Sequence, residues 1–181
     1  GEGGMITFKD KKIYEKANIL RDHGMSQKKR YYHDEIGFNY RITDFQCALG
    51  SNQLKKLDNF VEKRRMIAKI YNEFFSDIEI LKIPTVQNSV EHAYHLYPLQ
   101  IDFEKMAISK LEFFQKMRES DINLQVHYIP VHLQPYYQKN YGFKSGDFPV
   151  SESFYKNEVS FPIYPVLNLD SQQYVMEMTF K

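Results

Sequence analysis

Tryptophan is absent from this chain of 181 residues, and cysteine occurs once, as Cys47. A lone thiol closes no internal disulfide and builds no cysteine-rich zinc site, which excludes a secreted disulfide scaffold and a zinc module. No apolar run approaches the roughly 18 residues that a membrane helix needs. Charge of one sign is missing as well: 24 Lys and Arg stand against 23 Asp and Glu, a formal net charge of +1. Nothing in that balance draws the chain to nucleic acid or to an anionic membrane. The opening Gly1-Glu2-Gly3-Gly4 has neither the basic nor the apolar stretch of a signal peptide, so a cytoplasmic location is expected. It also lacks the Lys and Ser/Thr of a phosphate loop. The first methionine is Met5, beyond a turn-like start, and the expectation is a chain cut from something longer. Internal repeats and low-complexity segments are absent. What is present is globular: 43% hydrophobic and 26% charged residues, with 14 Tyr and 14 Phe.

The pattern along the chain predicts a strand over Met5–Phe8 and a helix from Lys11 to Asp22, capped by Asp10 and ended by Gly24. Residues 25–38 have no clean period and read as a long loop, in which Lys28-Lys29-Arg30 is a solvated charge run. Thr43-Asp44-Phe45-Gln46 matches a capping box and opens a helix carrying Ala48, Leu49 and Leu54. Gly50 inside it suggests close packing, and Cys47 reads as packed. A second helix, Asp58 to Phe75, bears an apolar stripe of Phe60, Ile67, Ala68, Tyr71 and Phe74. Beyond residue 77 the order is strand (78–83), strand (95–101), helix (109–120) and strand (122–128). A loop bounded by Pro130 and Pro135 follows, then a short helix capped by Ser151, a strand (159–163) and a final helix opening at Asp170. A break near residues 58–77 suggests two packing units, the second an α+β layer.

Among chemistry-bearing residues, His92 and His95 are three apart in a strand-like stretch, so they point to opposite faces and form no metal site. His127, Tyr128 and His132 stand at a strand end. They either face solvent or deliver two imidazoles and a phenol into a cleft. Asn39, Tyr40 and Arg41 precede the Thr43 cap. That location is either an anion site or a structural Arg satisfying a loop carbonyl.

The ordered strings say more than any one motif. Gly1-Glu2-Gly3-Gly4-Met5-Ile6-Thr7 is followed by Leu20-Arg21-Asp22-His23-Gly24 and by Gly37-Phe38-Asn39-Tyr40-Arg41-Ile42-Thr43-Asp44-Phe45-Gln46. Later come His95-Leu96-Tyr97-Pro98, His127-Tyr128-Ile129-Pro130-Val131-His132 and Ser160-Phe161-Pro162-Ile163-Tyr164-Pro165. Over nearly its whole length the chain resembles the C-terminal half of the DegT/DnrJ/EryC1/StrS sugar aminotransferases. Gln125–His132 and Phe154–Ser160 are most similar to the branch that acts in pseudaminic acid biosynthesis. The resemblance implies the C-terminal part of an aspartate-aminotransferase-like (fold type I) α/β transferase that depends on pyridoxal 5'-phosphate (PLP). Residues 1–57 would be the incomplete tail of the large PLP-binding domain and 58–181 the small α+β domain.

The same resemblance implies an amino transfer from glutamate to C4 of a UDP-linked 4-keto-6-deoxy sugar, in a homodimer with shared active sites. Asn39 would reach the cofactor phosphate of the partner subunit, and Arg41 would lie near the substrate diphosphate. His127, Tyr128 and His132 would line the sugar-nucleotide side of the cleft. In the family the Schiff-base lysine lies a few residues before the Gly-Glu-Gly-Gly turn, and Lys9, Lys11 and Lys12 lie on the wrong side of it. The chain is therefore expected to hold no catalytic residue and to be inactive alone. Other readings are a non-catalytic dimerisation or interaction module using residues 39–57, or a sugar dehydratase or 3-aminotransferase of the same family. Phe45 and Leu49 are expected to be exposed or covered by another chain, giving an oligomer or aggregation.

Overall fold

In a computed structural model the structure describes residues 2–26, 28–29 and 31–181. Gly1 and Arg30, which belong to the opening turn and to the expected charge run, lie outside the described residues; Lys28 and Lys29 are exposed. The chain divides into two compact units, residues 1–57 and 58–181.

In the first unit, helix α1 (Lys11–Arg21) starts where the Asp10 carboxylate accepts the Lys12 amide at 2.7 Å. Its exit depends on glycine. Gly24 has φ +72°, and a Cβ there would lie 1.8 Å from the Glu35 carbonyl oxygen. A Cβ on Gly37 would lie 2.1 Å from the Gly24 nitrogen, so the returning loop can pass only because both positions lack side chains. Single bridges, Met25 with His33 and Asp22 with Asn39, tie that loop to the end of α1. The expected strand at 5–8 does not form. A strand needs a neighbour to take its N–H and C=O groups, and these residues have no ladder partner.

Helix α2 (Asp44–Leu54) carries the full capping box. The Thr43 hydroxyl accepts the Gln46 amide at 3.3 Å, and the Gln46 side-chain oxygen accepts the Thr43 amide at 3.1 Å. No residue of α2 is buried. Cys47 is exposed and a Cβ on Gly50 would meet nothing within 4 Å, so both packing expectations are corrected.

The second unit begins along α3 (Leu57–Phe75), which buries Ile67, Ala68, Tyr71 and Phe75. The core aromatic at its end is Phe75; Phe74 is partly exposed. Strands β1 (Leu81–Lys82), β2 (Tyr97–Ile101) and β3 (Glu158–Phe161) form an antiparallel sheet in the order β1-β2-β3. Leu81 faces Ile101, Tyr97 faces Phe161 and Leu99 faces Val159. In β2, Tyr97, Leu99 and Ile101 are fully buried while the residues between are partly exposed, the period-two signature of a half-covered sheet. The core gathers these residues with Tyr71, Phe75, Phe113, Met117 and Phe161. Its buried phenols are satisfied: Tyr71 donates to the Pro162 carbonyl at 3.0 Å and Tyr97 to Asn72 at 2.7 Å. Burial pushes both phenols well above their ordinary pKa.

Helix α4 (Lys110–Glu119) carries a second capping box, from Ser109 and Glu112. Three expectations fail after it. Residues 122–128 alternate in burial at Ile122 and Leu124 but join the sheet by only one bridge, Gln125 to Ser160. Pro130 and Pro135 do not frame a loop. A 3-10 turn spans Val131–Leu133, and Pro135 opens helix α5 (Pro135–Tyr141), since a missing N–H costs nothing in a first turn. Ser151 lies inside α6 (Pro149–Asn157), which again starts at a proline. The final helix α7 (Leu169–Met178) is capped by Asn168, which accepts the Ser171 amide at 2.8 Å.

Candidate functional site

In the first unit, Asn39-Tyr40-Arg41 is strapped to the end of α1. The Phe38 amide donates to the Leu20 carbonyl at 2.7 Å and the Tyr40 amide to the Arg21 carbonyl at 2.9 Å. Arg41 then folds back over this corner. Its Nη1 pairs with Asp22 at 2.9 Å, its Nε donates to the Asn39 oxygen at 3.1 Å, and its Nη2 meets His23 Nε2 at 3.2 Å. Arg41 is therefore held by a carboxylate rather than by the loop carbonyl weighed from the sequence. Because the Asn39 oxygen is turned to Arg41, its Nδ2 amide is left to donate elsewhere. A carboxamide donor beside a fixed guanidinium, at the start of a capped helix, is chemistry suited to phosphate oxygens.

In the second unit the residues 127, 128 and 132 have three different surroundings. Tyr128 is 73% exposed and its ring meets the edge of His127 at 4.6 Å. His127 is half-buried. Its amide donates to Glu158 Oε2 at 3.0 Å and its Nδ1 lies 2.7 Å from the Ser160 hydroxyl. Ser160 in turn donates to Glu158 Oε1. His132 is only 7% exposed and is committed to structure: its Nε2 lies 2.9 Å from Glu152 and its ring packs on Phe148. The structure thus gathers His127 and Tyr128 side by side and turns His132 inward.

Sequence reasoning missed the acids beneath this segment. Glu158, 1% exposed, opens an apolar strand, and an acid at the head of a buried run was the signal that it has partners. Glu152 accepts from His132, Ser145, and the Gly146 and Phe148 amides. Those donors, His132 foremost, hold its carboxyl at about 2. Lys110 was missed too. Its Nζ donates to the Tyr155 carbonyl at 2.6 Å, and burial lowers its pKa while the Glu158 charge opposes that fall. Lys110, Leu111, Phe114, Arg118 and Val126 line a cleft of about 600 Å³. Among the described residues no three His, Cys, Asp or Glu side chains gather as a metal site, and no helix is long and apolar enough to cross a membrane.

The sequence profile of the DegT/DnrJ/EryC1/StrS aminotransferase family matches residues 1–179. The chain is 39% identical over 188 residues to the spore coat polysaccharide biosynthesis protein SpsC of Bacillus subtilis, covering 98% of this chain and 48% of that protein. It is 34% identical to a UDP-4-amino-4,6-dideoxy-N-acetyl-beta-L-altrosamine transaminase of Campylobacter jejuni, covering 99% of this chain and 47% of the relative. Among solved structures, PseC of Helicobacter pylori, an aminotransferase of pseudaminic acid biosynthesis, superposes with a TM-score of 0.83 at 29% identity. That match covers 94% of this chain and 46% of PseC. The chain spans about half the length of the curated relatives it matches. The fold is that of the fold type I sugar aminotransferases, in part.

Proposed function

Since the chain belongs to the DegT/DnrJ/EryC1/StrS aminotransferase family, we propose that it serves as the C-terminal portion of a PLP-dependent nucleotide-sugar aminotransferase. The reaction proposed is amino transfer from glutamate to C4 of a UDP-linked 4-keto-6-deoxy sugar, as in pseudaminic acid biosynthesis. Residues 1–57 belong to the cofactor-binding domain in this reading and 58–181 to the small domain. The protein works as a cytoplasmic homodimer. The observation that carries the reading is the family match over residues 1–179, which includes the Asn39-Tyr40-Arg41 corner.

The donor set at that corner fits the cofactor's phosphate: the Asn39 side-chain oxygen is taken up by Arg41, which leaves the Nδ2 amide as the group that donates. PLP, when bound, supplies the electron sink that amino transfer requires. The chain's own residues bind and orient. Asn39 donates to phosphate, Arg41 sets positive charge near the diphosphate, and His127 with Tyr128 faces the sugar nucleotide. His132 braces that segment from within. The covalent lysine is expected upstream of the Gly-Glu-Gly-Gly turn.

The test is an assay of the protein carrying this chain with ¹⁵N-glutamate and a UDP-4-keto-6-deoxy sugar, reading label in the product. Asn39→Ala is expected to weaken PLP retention by roughly tenfold, the loss of about one charge-assisted hydrogen bond. Unlabelled, deoxygenated product would point to a dehydratase, and label at C3 to a 3-aminotransferase. A second reading, a non-catalytic dimerisation module, is favoured by the exposed apolar residues of α2, Phe45 and Leu54 among them. No turnover together with unchanged PLP retention in Asn39→Ala would select it.

A further inference from the structure

Glu158 is a buried acid that the binding roles above do not use. Both its oxygens are occupied: Oε2 by the His127 amide at 3.0 Å and Oε1 by the Ser160 hydroxyl. A backbone N–H can only donate, and a carboxylate can only accept. The single hydroxyl proton of Ser160 is therefore spent on Glu158. The 2.7 Å contact between Ser160 Oγ and His127 Nδ1 then needs a proton from the ring. A hydroxyl oxygen that has given away its hydrogen still accepts.

We infer that Glu158 and Ser160 are positioning residues that fix His127 as its Nδ1–H tautomer, so that Nε2 is presented as a hydrogen-bond acceptor to an O–H or N–H of a bound nucleotide sugar. The ligand half of this inference rests on the proposed function, through the placement of residue 127 on the substrate side. The tautomer half does not. Among the described residues His127 Nε2 has no partner, and the ring is half-buried with the exposed Tyr128 at its edge. One ring nitrogen is tied down and the other is open, which is how proteins select a tautomer. The chain of donors also shows why the three residues are not a nucleophilic triad. Ser160 is 5% exposed and gives its proton to the acid directly, so the imidazole takes no proton from it.

An isosteric change should invert the arrangement. In Glu158→Gln the carboxamide oxygen must face the His127 amide, which only donates. Its NH2 then faces Ser160, the Ser160 hydroxyl turns to donate to Nδ1, and the ring must carry its proton on Nε2. The experiment is ¹⁵N NMR of the imidazole nitrogens in the full chain at mildly alkaline pH. Expected is a protonated Nδ1 and bare Nε2 in the native chain, and the reverse in Glu158→Gln. Ser160→Ala is the second variant, in which Nδ1 loses its fixed partner and the Nδ1–H preference should disappear. Nε2–H in the native chain, or the same tautomer in all three proteins, would overturn the relay.

Binding of UDP and of UDP-N-acetylglucosamine by the protein carrying this chain tests the ligand half. Glu158→Gln should weaken binding roughly three- to tenfold, the worth of about one hydrogen bond. Loss confined to UDP-N-acetylglucosamine assigns the donor to the sugar, and equal loss with UDP assigns it to the nucleoside. Unchanged affinity with an inverted tautomer overturns the ligand half alone. Failure of the native protein to bind either nucleotide overturns the proposed substrate class while the NMR result stands.

Discussion

Glu152 shows how much one side chain can organise. Its carboxylate gathers His132 at 2.9 Å, Ser145 at 2.8 Å and the Gly146 amide at 2.8 Å, so it ties the loop before α6 to the turn that follows residue 130. Those donors favour the charged form and bring the carboxyl from 4.5 down to about 2. A folded-state value below the unfolded one means that the contribution to stability is complete above about pH 4.5 and is lost as pH falls toward about 2. Acid titration of the Gly146 and Phe148 amide shifts should therefore show a transition in that window, and Glu152→Gln should abolish it. An unchanged transition in the variant would mean that another acid holds the loop. His132 was visible in the sequence as a motif member. Its inward role was not, because Glu152 is twenty residues away and nothing local pairs them.

Local capping chemistry was the most legible feature at the scale of elements, and it separates the two units energetically. Ser109 caps α4, whose Phe113 and Met117 are buried in the core, so its loss should be felt by the whole second unit. Thr43 caps α2, which buries nothing. Ser109→Ala is expected to lower the unfolding free energy of that unit by about 1 kcal/mol, read from the denaturant midpoint. Thr43→Ala should instead speed amide exchange along α2 and leave the midpoint of residues 58–181 where it was. Equal midpoint shifts in the two variants would show that α2 is coupled to the core. Asp10 and Thr43 could both be read because a cap needs only its own helix; the Ser109 box went unread, and Ser151, read as a cap, lies inside α6. The segments 5–8 and 122–128 were misread for the opposite reason: a short apolar run in the first and alternation in the second say that a strand can form, and only a distant neighbour decides whether it does. At 127 the place of a ladder acceptor is taken by the Glu158 side chain, a substitution that no local pattern announces.

The two units bury their apolar residues very differently. The second closes a continuous core from Tyr71 through Tyr97 to Phe161. The first leaves Phe45 82% exposed, with Leu49 and Leu54 also exposed, on a helix that has no buried face. A helix apolar on several sides is stable in water only when something covers it. In the proposed homodimer the cover is the remainder of the cofactor-binding domain and the partner subunit, which is why residues 39–57 would carry both the phosphate corner and the assembly surface. Exposed apolar area of this kind drives association through burial, at about 25 cal/mol per Å² removed from water. Phe45→Lys should thus shift the chain toward monomer in concentration-dependent sedimentation, by roughly tenfold or more in dissociation constant if Phe45 is central to the contact. Stability of the second unit should stay within about 0.5 kcal/mol, as for a surface substitution away from its core. A native chain that sediments as a monomer at micromolar concentration, with Phe45→Lys indistinguishable from it, would remove α2 as the assembly surface. The phosphate corner proposed at Asn39 would then have to be completed within one chain.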